Sequence, residues 1–268
     1  HYRVSRKQLI FFETMDEYNE KDDELIETKD RMFAPLGWDS PINCKIQDLN
    51  ESKNDKPSSN CTQGYAIHHY FREEPMCKSI ELLKDKISVD SYLKLIKTWM
   101  KDTTSLVALS INSGRVIGVA ITRINDDSEK TNIFERESLQ DIMFLINEVT
   151  KQSDIYVKFK QDVCFRIYIL CVHPTYNNKG IESALLRAFI HAGRTMKLPM
   201  VGGIFTSGYN QLLAEQEGFK ILSEIRYNRW IVNDAVVFDD PGKGNYSATF
   251  MGKIIDYNDP KDKYKYDV

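Results

Sequence analysis

The run Cys164–Val172 (CFRIYILCV) is apolar at odd and even positions alike. A strand with that pattern must be covered on both faces, so it belongs in the middle of a sheet sandwiched by other elements. It is the longest apolar stretch of the chain, contains Arg166 and is far too short to span a bilayer. His173-Pro174 ends the strand, and Tyr176 to Lys179 form a polar loop. Gly180 then opens a helix whose apolar positions, Ile181, Ala184, Leu185, Ala188, Phe189, Ala192 and Met196, fall at helical spacing. A strand over Met200–Phe205 follows, then a helix from about Ser207 to Glu217 that stops at Gly218, a C′ glycine. Lys220–Arg226 and Ser247–Ile255 read as two more strands.

Upstream, Pro41–Asp48 alternates apolar and polar residues and reads as a first strand. Leu49–Ser59 is a polar loop, and helical spacing covers Gly64–Arg72 until Pro75 ends or restarts it. A second helix carries Tyr92, Leu93, Ile96, Trp99 and Met100, with Ser88 as its expected N-cap. Ser105–Asn112 and Val116–Arg123 form a hairpin around Asn112, Ser113 and Gly114. An amphipathic helix marked by Leu139, Ile142, Met143, Ile146 and Val149 leads into the central strand. This order, antiparallel first and then strand–helix–strand–helix–strand, argues for a mixed α/β sheet covered by helices. Residues 1–41 are a charged extension with a helix expected over Asp22–Met32, residues 42–258 are the domain, and residues 259–268 are a charged tail.

With 268 residues and a formal charge of −3, the chain has no electrostatic footprint for nucleic acid or an anionic membrane. Cys44, Cys61, Cys77, Cys164 and Cys171 include no CxxC pair, which argues against a structural zinc site. Cys164 and Cys171 lie an odd number of residues apart, which on a regular strand puts them on opposite faces and forbids a bridge. A reducing, cytoplasmic setting is the expectation, against which stand the sequons at Asn50, Asn60 and Asn245.

The segment LCVHPTYNNKGIESAL, Leu170 to Leu185, joins a strand, a tight loop and a helix opening at glycine. Free backbone N–H groups and the helix dipole converge there, which favours phosphate oxygens. The same turn also suits a helix start that needs only a small residue.

That segment resembles the cofactor motif of the GNAT N-acetyltransferase superfamily, V-x-P-x-Y followed by R/Q-x-x-G-x-G/A. Val172, Pro174, Tyr176, Gly180 and Ile181 match, and Ser207 to Phe219 is similar to the family's next helix with its closing G-F. Ala66–Met76 (AIHHYFREEPM) resembles the F-x-x-[DE]-E-P-[LM] signature of insect arylalkylamine N-acetyltransferases, and with CKIQDL the likeness covers about residues 42 to 255. The resemblance implies a mostly antiparallel GNAT-like sheet of about seven strands and acetyl transfer from acetyl-CoA to a small primary amine. It implies that Glu74 is the general base, and a carboxylate beside Phe71, Pro75 and Met76 is partly desolvated, as that work requires. Phe71, Pro75 and Met76 would contact the amine. Tyr209 falls on the tyrosine that protonates the leaving thiolate, and Thr206 and Asn210 on two serines of a proton relay. Thr206 keeps the hydroxyl, whereas Asn210 can hydrogen-bond but cannot act as acid or base. The backbone of Leu170, Cys171 and Val172 would pair with the pantetheine arm, and Asn177, Asn178, Lys179, Gly180, Ile181, Glu182 and Ser183 would hold the diphosphate.

Two positions depart from the motif. Asn177 stands where the family has Arg or Gln, and Glu182 where it has Gly or Ala. A carboxylate about 4 Å from a phosphate costs on the order of 4 kcal/mol at an effective dielectric near 20, roughly a thousandfold in affinity. Two placements are open to that side chain: outward to solvent, or back into the anion site. Lys179 and Arg187 are the cations near enough in sequence to offset it. The alternative function is therefore a non-catalytic GNAT-fold protein that binds a partner and no CoA. The expected assembly is a monomer or weak dimer.

Other constellations carry less. His68 and His69 point about 100° apart on a helix and cannot share a metal. His173 reads as a strand terminator, with a base near the acetyl group as the rarer option. Gly203-x-x-x-x-Gly208 lacks the following Lys-Ser/Thr of a P-loop, and Asp240-Pro-Gly reads as a turn. No GxSxG elbow is present. Tyr65, Tyr70, Phe71, Tyr92 and Trp99 suit either an amine pocket or core packing.

Overall fold

The structure, a computed structural model, describes residues 2–4, 44–49, 67–127 and 137–257. The expected helix over Asp22–Met32, most of the loop over Leu49–Ser59, the start of the helix at Gly64, Tyr65, Cys61, the sequons at Asn50 and Asn60 and the charged tail lie outside those residues.

Seven strands form the main sheet in the order β2-β3-β4-β5-β6-β10-β7. They are β2 Cys44–Asp48, β3 Leu106–Ser110, β4 Val116–Asp126, β5 Val163–Val172, β6 Met200–Phe205, β7 Lys220–Arg226 and β10 Ser247–Ile254. Every neighbouring pair is antiparallel except β5 and β6, which are joined by a helical crossover and run parallel. A small second sheet, β1 Tyr2–Val4, β8 Trp230–Val232 and β9 Ala235–Val236, lies outside the pattern expected from sequence. Helix α1 covers 67–73, α2 is Pro75–Ser79, α3 Lys86–Trp99, α4 Glu137–Ser153 and α5 Ile155–Phe159. Helix α6 is Ile181–Thr195 and α7 Gly208–Gln216.

Apolar side chains gather on both faces of the sheet. On one face Tyr92, Ile96 and Trp99 of α3 and Leu139, Ile142 and Val149 of α4 pack with Ile169 and Phe250. On the other, Ile181, Leu185 and Phe189 of α6 and Leu213 of α7 pack with Phe165, Ile167 and Met251. The central strand is thus covered on both sides, as its composition demanded.

Local chemistry explains two departures from expectation. Helix α3 is capped by Asp85, whose carboxylate accepts the N–H groups of Ile87 and Ser88. Ser88, the expected cap, is buried inside the first turn and donates its hydroxyl to Asp85. The second departure is in β5. The register with β4 skips Tyr168: Ile169 pairs with Ile121 and Ile167 with Thr122. This bulge reverses the alternation beyond it. Cys164 and Cys171 therefore pack toward the same core, contrary to the parity argument. Neither forms a disulfide, and neither do Cys44 and Cys77. Among the described residues no helix is long and apolar enough to cross a membrane, and no cluster of three His, Cys, Asp or Glu suits a metal ion.

Candidate active site

The parallel pair β5–β6 holds together only at Phe165–Ile167 against Val201–Gly203. Among the described residues no ladder joins the two strands beyond that point, so they part like a V whose apex is Gly203. A Cβ on Gly203 would lie 2.6 Å from the carbonyl oxygen of Ile167, so only glycine lets the apex close. The parting begins at the Tyr168 bulge, which turns the rest of β5 away from β6. The gap opens into a cleft of about 410 Å³. Leu170, Cys171 and Val172 of β5 form one wall, and Ile204, Phe205 and Thr206 the other.

Pro75 shapes the side of the cleft formed by α1 and α2. The residue before proline is driven out of the helical region, and Glu74 is extended with φ −67° and ψ 128°. Helix α1 stops, and Glu74 becomes the N-cap of α2, where one carboxylate oxygen accepts the Cys77 N–H at 2.7 Å. The residue is only 5% exposed, and its other oxygen, Oε1, has no hydrogen-bond partner among the described residues. Pro75, Met76, Tyr70, Tyr92, Trp99 and Tyr168 line the same cleft. The phenols of Tyr70 and Tyr92 are 3.3 Å apart, and Trp99 stacks on Tyr168 with centroids at 4.4 Å. Burial pushes the Tyr70, Tyr92 and Tyr227 hydroxyls well above the ordinary phenol range, and the Glu74 charge adds to this in each case. Phe71 does not line the cleft. At 2% exposure it packs against Tyr70 and Tyr92 in the core, so its expected substrate contact is replaced by support of the aromatic wall.

Across the gap, α7 begins at Gly208 with Ser207 as N-cap, its hydroxyl accepting the Asn210 N–H at 3.2 Å. Thr206, Tyr209 and Asn210 all line the cleft. The Thr206 carbonyl accepts the Tyr227 hydroxyl at 2.7 Å, which ties this end of the cleft to the loop after β7. Tyr209 is 42% exposed, and its hydroxyl is pushed up by partial burial and by the charge of Glu182. Asn245 holds the turn in place: its side-chain oxygen accepts the Gly208 N–H and its amide donates to the Pro241 carbonyl. That sequon therefore serves the fold with both ends of its side chain. Asp240 accepts the Gly242 N–H, which makes the expected turn.

The loop after β5 ends at Gly180, which takes the left-handed conformation with φ 77° and caps α6 without any side chain. Asn177 and Asn178 line the cleft, whereas Ile181 is buried in the core and Lys179, Gly180 and Ser183 are not among the lining residues. Glu182 lies within the cleft lining and is only 6% exposed. Its carboxylate folds back toward its own backbone N–H, and Oε2 has no partner among the described residues. Burial raises its pKa from the ordinary carboxylate value. The outward placement is thus ruled out. Neither expected cation sits on it: Arg187 pairs with Glu217 at 3.1 Å, and the Lys179 ammonium lies 4.9 Å from the centre of the Tyr176 ring. The Cys171 thiol is pushed up to about 12 by burial and then by the charges of Glu182 and Glu73. His173 caps the turn after the strand by accepting the Thr175 N–H, the terminator role expected of it.

Sequence reasoning had no role for Arg166 and Tyr168, yet both line the cleft. The Arg166 guanidinium lies between the rings of Tyr168 and Phe250, at 5.0 and 5.1 Å, and donates to the Thr150 hydroxyl. Their direction follows from the bulge, which a uniformly apolar strand does not announce.

No family model and no curated protein sequence matches the chain. Solved structures do. A structure assigned to arylalkylamine N-acetyltransferase 7 of the yellow fever mosquito Aedes aegypti is 27% identical with a TM-score of 0.69, over 80% of this chain and 88% of that one. Arylalkylamine N-acetyltransferase 2 of Aedes aegypti is 21% identical with a TM-score of 0.65, over 80% of this chain and all of that one. An agmatine N-acetyltransferase gives 17% identity and a TM-score of 0.65, over 79% of this chain and all of that one.

Proposed function

We propose that this chain, which has the fold of the GNAT N-acetyltransferases, transfers an acetyl group from a CoA-type thioester to a small primary amine. The observation that carries this is the meeting, in one cleft, of a parted parallel strand pair and a buried carboxylate with a free oxygen. The aromatic wall of Tyr70, Tyr92, Trp99 and Tyr168 favours an arylalkylamine-like acceptor, since a protonated amine and its ring both gain from aromatic faces.

Acetyl-CoA supplies an acetyl group activated as a thioester. Glu74 Oε1 takes a proton from the ammonium through water, which leaves a neutral amine. The amine nitrogen attacks the thioester carbonyl while a backbone N–H of Leu170–Val172 polarises its oxygen. The C–S bond breaks, the new amide keeps the acetyl group, the thiolate takes a proton from Tyr209, and the proton that the attacking nitrogen sheds passes through water to restore the phenol. The raised pKa keeps Tyr209 protonated before the transfer, and it also makes the phenol a weaker acid toward the thiolate. Thr206 and Asn210 position the sulfur end of the donor by hydrogen bonding, and no serine relay is required.

Glu182 favours a second reading, a non-catalytic protein with this fold that binds a partner through the same cleft. Incubating the full chain with acetyl-CoA or acetyl-pantetheine and a panel of amines separates the two. N-acetylated product seen by mass spectrometry with either donor supports the transferase. No product from a folded sample with either donor supports the second reading.

A further inference from the structure

Two buried carboxylate oxygens in this cleft have no partner, and they stand at opposite ends of it in function. Oε1 of Glu74 faces the acceptor side. Oε2 belongs to Glu182, which lines the cleft from the first turn of α6. The first turn of α6 holds the amides of Ile181, Glu182 and Ser183, since Ala184 is the first residue to donate back to Gly180. An open anion seat would leave those amides to a ligand. Here the Glu182 side chain turns back on its own amide and brings a negative charge into the seat. Neither cation near it in sequence is turned to it: Arg187 pairs with Glu217, and the Lys179 ammonium lies over the Tyr176 ring. Neighbouring groups at the mouth of the strand gap, Cys171 and Tyr209, both feel that charge.

A diphosphate offers only acceptor oxygens and negative charge, so it meets Glu182 with nothing to donate. The pantetheine arm differs. It has two amide N–H groups and a hydroxyl on its pantoyl part, and when the nucleotide is absent it ends in a second hydroxyl. That terminal hydroxyl falls where the diphosphate would begin and can donate to Oε2 of Glu182, which satisfies an otherwise unpaired buried acceptor. The parted strands accept the arm itself through backbone groups, whichever terminus follows.

We propose that the acyl donor of this protein is an uncharged pantetheine-type thioester, recognised along β5 and at Glu182, and that the nucleotide diphosphate of CoA is excluded rather than bound. This rests on the reading of the cleft as an acyl-transfer site and narrows it to a donor class. Calorimetric titration of the full chain with pantetheine, phosphopantetheine and CoA tests it. Affinity should fall in that order as phosphate charge is added. Glu182→Ala should tighten CoA by about a hundredfold or more, out of the roughly thousandfold that a like charge at close range can cost. It should leave pantetheine unchanged or weaker. Glu182→Gln, which keeps the shape of the side chain, should tighten CoA by at least about tenfold. Binding of CoA to the wild type tenfold tighter than pantetheine overturns the donor class and leaves the transferase reading intact. Equal tightening of both ligands by Glu182→Ala also overturns it. No binding of any of the three at millimolar concentration overturns both. Pantetheine binding with the predicted response to substitution, but no amine acetylation, upholds the donor site and removes the transferase.

Discussion

The two walls of the cleft, proposed to take the acceptor and the donor, each carry a glutamate at the start of a helix, and the two are placed in opposite ways. Glu74 caps α2 with one oxygen and keeps the other free, because Pro75 fixes the backbone and Cys77 supplies the bonded amide. Glu182 lies inside the first turn of α6, where Gly180 is the cap, and its carboxylate is buried and turned back to its own backbone. The lesson is one of position. A carboxylate one residue before a helix satisfies the helix and still serves chemistry. A carboxylate two residues inside it competes with any anionic ligand for the same amides.

The comparison breaks first at Glu74. Glu74→Gln keeps the cap but removes the base, so kcat/KM for amine acetylation should fall by about 10²–10⁴, with thioester affinity unchanged by calorimetry. An unchanged rate would leave Glu74 as a cap and nothing more. The donor wall is sharpened by pH. Burial raises the Glu182 pKa, so the group takes its proton at a higher pH than an ordinary carboxylate. Its negative charge appears as pH rises through that raised value. CoA affinity should therefore increase as pH falls, by at most about tenfold per unit because one proton is involved. Pantetheine affinity should stay flat over the same range, and so should CoA affinity in Glu182→Ala. A smaller effect is expected at Tyr209, which is part exposed and has water as a substitute acid. Tyr209→Phe should lower kcat about tenfold and leave KM for the amine in place, as steady-state kinetics would report. The smallest is structural. Asn245→Ala removes bonds to Gly208 and Pro241 and should cost on the order of 1 kcal/mol, about 2–4 °C in Tm.

Much of this architecture is legible because its elements obey simple periods. The unbroken apolar run of β5 required cover on both faces, and the helical spacing of α6 supplied one cover. The order of strands and helices from Val116 onward then left little choice of fold. The Glu74–Pro75 pair was legible for a local reason, since proline constrains only its own turn. What stayed hidden depended on distant contacts. Asp85 displaced Ser88 as the cap of α3, because the turn before the helix starts three residues earlier than its apolar spacing suggests. The Tyr168 bulge left no trace in CFRIYILCV, where all positions but Arg166 are apolar enough for either face, so the directions of Arg166 and Cys171 could not be read. Phe71 was assigned to the cleft by motif, yet it packs behind Tyr70. The burial of Glu182 also escaped, since a charged residue in a first helical turn is ordinarily solvated. Glu182 lines the same cleft as the end of β5 and Tyr209.

The central claim is that the gap between β5 and β6 seats the thioester arm. Backbone amide shifts of the ¹⁵N-labelled chain, followed while a non-transferable pantetheine thioether analogue is added, test it most directly. The account predicts saturable shifts concentrated at Leu170, Cys171 and Val172 and at Ile204, Phe205 and Thr206. Saturable binding with those six amides unmoved, or no saturation at all, would contradict it.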